Sequence, residues 1–223
     1  VFETQAEAMG YEVSLKKLTQ AEKEGLIAGQ EEPGGEYLTV YDAELRPCGE
    51  RPRSVVHQQG LLHMVAHIWM VENDRLWLQQ RAFDRPLYPG LYDLTATGHI
   101  DPGEMPVQAA CREAREEAGV LLTPEQLETV GTVRQRYPRP DGYDNEIVHI
   151  FLCRQTNPFA FQPGEEVVRM AALPLAEYAR GARAFVENNP TEITFDGGEK
   201  VSLNGFCCWH TEEWQMVKSY LET

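Results

Sequence analysis

The apolar positions change period several times along the chain, and each change marks an element. From Tyr37, the run Tyr37-Leu38-Thr39-Val40-Tyr41 alternates as a strand does, and residues 42–49 read as a turn region. Leu61 to Val71 and Leu76 to Gln80 read as two strands joined by a turn at Glu72-Asn73-Asp74. A loop marked by Pro86, Pro89 and Gly90 follows, then a short strand near Leu94 and a helix from about Pro106 to Ala118. Val130 to Arg136 and Ile147 to Cys153 read as strands, and Leu175 to Val186 and Thr211 to Leu221 as helices. Trp214, Val217 and Leu221 recur at helical spacing, as core or interface positions do. Residues 1–36 are polar; Thr19 to Glu22 reads as a capping box before a short helix, and residues 31–35 as a linker. Strands and helices mix without strict βαβ alternation, which predicts an α/β (α+β) fold with helices packed on a mixed sheet. The predicted organisation is an N-terminal extension over 1–36, a main domain over 37–186 and a C-terminal helical extension over 187–223.

Composition narrows the classes. The 223 residues carry 35 acidic against 20 basic side chains, a formal net charge of −15. A surface that acidic repels nucleic acid and anionic membranes, yet it accepts a small anionic substrate where basic residues or metal ions gather locally. The Leu61 to Val71 stretch is interrupted by His63 and His67 and is too short to span a bilayer. Five cysteines, with no CxxC pair, read as reduced thiols, and with no export signal legible a cytoplasmic setting is expected.

The chemistry concentrates in residues 98–120. Pro106 suits a first helical turn and Gly119 the residue past the last. At about 100° per residue, Val107, Ala110, Cys111, Ala114 and Ala118 fall on one apolar stripe. Glu113, Glu116 and Glu117 stand at i, i+3 and i+4 on a neighbouring face, with Arg112 and Arg115 on its flank. Three adjacent carboxylates repel one another, and a divalent cation removes that penalty; oxygen-only donors suit Mg²⁺ or Mn²⁺. The plainer reading of the triad alone is a solvated acidic face.

The full spacing resembles the Nudix box, Gly-x5-Glu-x7-Arg-Glu-U-x-Glu-Glu-x-Gly-U with U bulky and aliphatic. Gly98, Glu104, Arg112, Glu113, Glu116, Glu117, Gly119 and Val120 all fall in place, and Ala114 is a small version of the first U. The resemblance implies a mixed sheet sandwiched between helices and a Mg²⁺-dependent hydrolase (Mn²⁺ as the other option) that cuts a diphosphate linkage in a small nucleoside-diphosphate-linked or similar molecule. It implies that Glu113, Glu116 and Glu117 hold metal, that Glu113 and Glu116 act in catalysis, that Arg112 orients Glu113, and that Glu104 steadies the loop-to-helix junction. No nucleic-acid or membrane partner is implied, and the oligomeric state stays open, a homodimer included.

The flanks, from about Arg53 to Cys153, are similar to the isopentenyl-diphosphate isomerase branch of the superfamily. The similarity rests on Arg53 to His57, Leu62-His63, Gln80-Arg81 with Arg85, the Pro89-Gly90-Leu91-Tyr92 turn, Gly98-His99 and Asp144-Asn145-Glu146. It implies that Arg53, Arg81 and Arg85 contact the substrate diphosphate. It also implies that His57, His63, His99, Asp144 and Glu146 correspond to a metal site, and Glu146 is expected as an added ligand. Three features depart from that branch. Thr97 stands where the isomerase has a catalytic cysteine, the box is intact where the isomerase's is degenerate, and the His57 to His63 spacing is one residue short. The alternatives are therefore an isomerase, or a catalytically silent Nudix domain that binds a nucleotide or a protein. Specificity is expected in the loops at 134–145 and 155–166. Core packing is as good a reading as ligation for His63 and His67, and packing is the expectation for Cys207 and Cys208.

Overall fold

A computed structural model of the chain describes residues 35–139 and 141–222. The expected helix at Thr19 to Glu22 and most of the linker lie outside them. The described residues form two compact units, one of residues 35–64, 101–103, 134–139 and 141–147, the other of 65–100, 104–133 and 148–222.

In the first unit, β1 (Tyr37–Tyr41) pairs antiparallel with β2 (Pro47–Pro52), with a register shift between Thr39 and Tyr41. The expected turn region is shorter than read. The Asp42 carboxylate accepts the Glu44 and Arg46 amides at 3.0 and 2.9 Å, which closes the turn and frees Pro47 to Pro52 for pairing. Helix α1 (Arg53–Gln59) follows, unread in the sequence because it buries only Val56 and His57. Gly60 ends it in the left-handed region. Leu38, Val40 and Val56, with Leu61 against them, make a small core.

In the second unit the main elements are β3 (His63–Glu72, from Val65 onward), β4 (Arg75–Arg81), β5 (Tyr92–Leu94), β6 (Ala96–His99) and α2 (Pro106–Glu117). Then come β7 (Glu128–Arg139, up to Val133 in this unit), β8 (Gly142–Gln155, from Val148 onward), β9 (Val167–Pro174), α3 (Leu175–Val186), the short hairpin β10 (Glu192–Thr194) and β11 (Lys200–Ser202), and α4 (Thr211–Leu221). The central mixed sheet runs β5-β4-β3-β8-β7, with β6 paired to β3 and β9 to β4. The fold is α+β, as expected. The stretch 134–145, expected as a loop, is mostly strand: β7 continues to Arg139 and β8 starts at Gly142.

The core of this unit joins Trp69, Leu76, Leu78, Ile150, Leu152 and Leu173 of the sheet to Tyr178 and Ala182 of α3. Residues beyond α3 enter the same core: Ile193, Phe195, Phe206, Trp209, Trp214 and Val217. The Trp69 and Trp214 rings stack with centroids 6.1 Å apart, and the buried Tyr178 hydroxyl donates to the Trp209 carbonyl at 2.8 Å.

Helix α2 starts at Pro106, whose missing N–H costs nothing there. Gly119 ends it at φ +68°, and its amide donates to the Arg115 carbonyl at 3.1 Å while Val120 reaches back to Ala114 at 3.0 Å. A Cβ on Gly119 would overlap the Gln162 carbonyl, so both conformation and space require glycine. The buried positions are Ala109, Ala110, Ala114, Glu117 and Ala118, whereas Val107 and Cys111 are only partly covered. The buried face is thus turned from the apolar stripe toward a carboxylate, because polar partners await Glu117.

Candidate metal centre and diphosphate contacts

Those partners come from two strands. The Glu117 Oε2 accepts Gln79 Nε2 of β4 and the Thr97 amide of β6, each at 2.7 Å. Burial and the neighbouring Glu113 charge push the Glu117 carboxyl up to about 8. Glu113 lies over Gly98, where any Cβ would overlap its carboxylate. Glu116, one turn on, is exposed. Arg112 ties the group together. Its guanidinium donates to both Glu104 oxygens at 3.1 and 2.9 Å, to Glu113 Oε1 at 2.6 Å, to Glu116 Oε2 at 3.4 Å and to the His99 carbonyl at 2.9 Å. The Glu104 hydrogen bonds lead in raising its already high pKa, so it stays cationic.

This donor set fits a hard divalent cation. Three carboxylates stand within one helical turn, and one is held protonated by burial and by its neighbour's charge, a penalty that a cation relieves.

Arg81 and Arg85 stand at the end of β4 and in the loop after it. Arg81 Nε donates to the Leu87 carbonyl at 3.3 Å, with Asp93 3.8 Å from its Nη1, and Arg85 pairs with Glu166 at 2.9 Å. A buried cluster accompanies them: the Glu213 carboxylate lies between the imidazoles of His67 and His210. Burial and the Asp93 charge push the nearby Cys207 thiol up. All five cysteines are free thiols.

The first unit holds the remaining predicted residues. His57 and His63 are buried and meet edge to face, with ring centroids 5.1 Å apart. His63 Nδ1 lies 3.0 Å from the Leu61 carbonyl, which only accepts, so the proton of a neutral ring sits on Nδ1. The Nε2 lone pair then points to Glu146 Oε1 at 3.5 Å, and His57 Nε2 stands 3.5 Å from Asp144. Imidazole nitrogens and carboxylate oxygens facing one another are the mixed donors that a divalent ion takes, so these residues too fit a metal ion. Burial and the Glu146 charge raise the Asp144 carboxyl, against an ion pair with Arg139 at 2.7 Å. Glu146 also accepts Gln135 Nε2 at 2.9 Å. Arg53 pairs with Glu36 at 3.4 Å and, with Ser54, His57, Arg139 and Asp141, lines a cavity of about 260 Å³.

Sequence reading missed Gln79, Arg139, Asp93 and Glu213 as partners. Gln79 alone left a trace, a polar residue directly after the buried Leu76 and Leu78 positions of a half-covered strand.

Residues 61–192 match the NUDIX domain family, and the chain belongs to it: it is a Nudix-type hydrolase. It is 27% identical over 169 residues to an uncharacterised Nudix hydrolase of Clostridium acetobutylicum, covering 73% of this chain and 79% of that one. It is 35% identical over 146 residues to an isopentenyl-diphosphate Delta-isomerase of Streptomyces avermitilis, covering 64% and 73%. Among solved structures, DR0079 of Deinococcus radiodurans superposes with a TM-score of 0.50 at 17% identity, covering 68% of this chain and 90% of that one, a likeness of fold alone. Among the described residues no helix is long and apolar enough to cross a membrane.

Proposed function

We propose that the protein hydrolyses a small organic diphosphate, nucleoside-linked or similar, with Mg²⁺ or Mn²⁺ held by Glu113, Glu116 and Glu117. The observation that carries this reading is the buried Glu117, placed by Gln79 and Thr97 beside a Glu113 that Arg112 orients. The bound ion supplies charge neutralisation on the diphosphate and acidifies a water. Glu113, clamped by Arg112, takes the proton of the attacking water, and exposed Glu116 completes the acidic face. Arg81 and Arg85 contact the diphosphate in the second unit. In the first unit, Arg53 serves as a further anion contact and Glu146, with His57 and His63, as a metal ligand.

Kinship with proteins named as isopentenyl-diphosphate isomerases favours a second reading, proton transfer on an isoprenoid carbon. Thr97 argues against it, since a hydroxyl's pKa lies far above a thiol's. Product analysis by chromatography, or phosphate release after added phosphomonoesterase, for a panel of nucleoside diphosphate conjugates and isoprenoid diphosphates with and without Mg²⁺, tests the proposal. Metal-dependent cleavage of at least one compound is expected, and no cleavage of any would end it.

A further inference from the structure

The second unit carries another set of donors, apart from the acidic face of α2. His67 of β3 places Nδ1 3.0 and 3.2 Å from the two oxygens of Glu213 in α4, and His210 Nδ1 lies 3.0 Å from Glu213 Oε1. All three ligand atoms lie within 4.8 Å of one another, and each side chain is more than nine-tenths buried.

Three observations distinguish this from ordinary core hydrogen bonding. Both imidazoles turn the same nitrogen, Nδ1, onto a single carboxylate oxygen. The outer atoms have partners of the kind that orient metal ligands: Asp93 Oδ1 stands 3.5 Å from His210 Nε2, and Trp69 Nε1 donates to Glu213 Oε2 at 3.2 Å. Finally, His210 sits at φ +38° and ψ 47°, a left-handed conformation at the residue preceding α4 that a non-glycine residue adopts at a cost. The fold holds that strain while directing the ring at Glu213.

Charge points the same way. The buried Glu213 and the partly buried Asp93 bring two carboxylates to these rings, with Arg81 3.8 Å from Asp93. One divalent ion held by the two imidazoles and Glu213 compensates much of that charge. Nitrogen and oxygen ligands at the bond lengths of tetrahedral zinc stand roughly 3.3 Å apart, close to the 3.0 and 3.2 Å separations here.

The geometry points to a transition-metal site formed by His67, His210 and Glu213, suited to Zn²⁺, with Asp93 as a positioning residue behind His210. The site joins β3 to α4 across 146 residues of sequence and leaves one tetrahedral position for a further ligand.

The test uses the full chain stripped of metal by chelation, then loaded with Zn²⁺ or Co²⁺ in excess Mg²⁺ and desalted. Metal is counted by mass spectrometry, Co²⁺ is followed by visible absorption, and melting is measured. Because His57 and His63 offer imidazoles of their own, the reference is the variant His57→Asn/His63→Asn. Expected is one retained equivalent in that reference, with strong tetrahedral Co²⁺ bands and a melting temperature raised by Zn²⁺. Adding His67→Asn or Glu213→Gln removes all three signals, and Asp93→Asn weakens Zn²⁺ affinity about tenfold. In the otherwise unaltered chain, His67→Asn and Glu213→Gln each lose one equivalent against wild type, a comparison that needs no His57 or His63 change. The site is disproved if the reference retains no metal, or if His67→Asn and Glu213→Gln leave stoichiometry, bands and Zn²⁺-dependent melting unchanged.

Discussion

Glu117 shows how one residue carries both a penalty and a function. Its carboxyl is pushed up to about 8 in the fold, against 4.5 when unfolded. Between those values the unfolded chain releases the proton and the folded chain keeps it. Stability of the metal-free protein therefore falls as pH rises from about 4.5 to 8, by an amount on the order of a few kcal/mol, and levels off above that. Denaturant unfolding in chelator at pH 5 and pH 8.5 should show this fall in wild type and a flatter profile in Glu117→Gln. Identical profiles would place the charge strain elsewhere. Glu116→Gln and Glu117→Gln should each lose roughly a hundredfold or more in turnover while remaining folded, since each removes charge from the proposed metal face. Near-normal turnover of both under saturating Mg²⁺ would dismiss that assignment. Gly98→Ala should fail for a steric reason, because its methyl group meets the Glu113 carboxylate. A loss of about 1–3 kcal/mol in stability is expected, together with reduced activity.

At the scale of elements, legibility followed the local signal. Helix α2 was readable end to end because Pro106, Gly119 and the carboxylate spacing are local features, and α3 and α4 occupy the predicted residues. Helix α1 lacks an apolar stripe, β9 lacks clean alternation, and β10 and β11 are three residues each, so none could be read. Pairing lengthened β7 and β8 beyond their apolar cores, a tertiary effect that polar residues 134–145 do not announce. The box residues were legible as a pattern, but the burial of Glu117 was not, since Gln79 and Thr97 lie 38 and 20 residues away. The loop after β4 carries its own test. Arg81→Ala and Arg85→Ala should raise the Michaelis constant with little change in turnover, each losing a charge-assisted contact of on the order of 1.5–3 kcal/mol. Unchanged Michaelis constants in both variants would remove these arginines from the diphosphate site.

For the molecule as a whole, the question is which reaction the framework supports. Isomerisation needs an acid and a base across a carbon skeleton in a dry pocket, whereas diphosphate hydrolysis needs water and metal. The Thr97 amide is committed to Glu117, so this position serves the carboxylate face through its backbone whatever its side chain. No deuterium should enter isopentenyl diphosphate incubated with the protein in heavy water and followed by NMR, and Thr97→Cys alone should not change that. Clear incorporation by the unmodified protein would put the isomerase reading first.

The core of the second unit has a consequence for how the chain acquires its shape. The family match ends at residue 192, yet Ile193, Phe195, Phe206, Trp209, Trp214 and Val217 share a core with the central strands. Burying each such side chain is worth about 1.5–3 kcal/mol. During synthesis, the central strands emerge with part of their apolar side still open, and closure of that core waits until Val217 has left the ribosome. Until then the nascent chain presents apolar side chains such as Trp69 and Tyr178 without their late core partners, so this is the interval in which a chaperone would find it and in which crowding would cause misassembly.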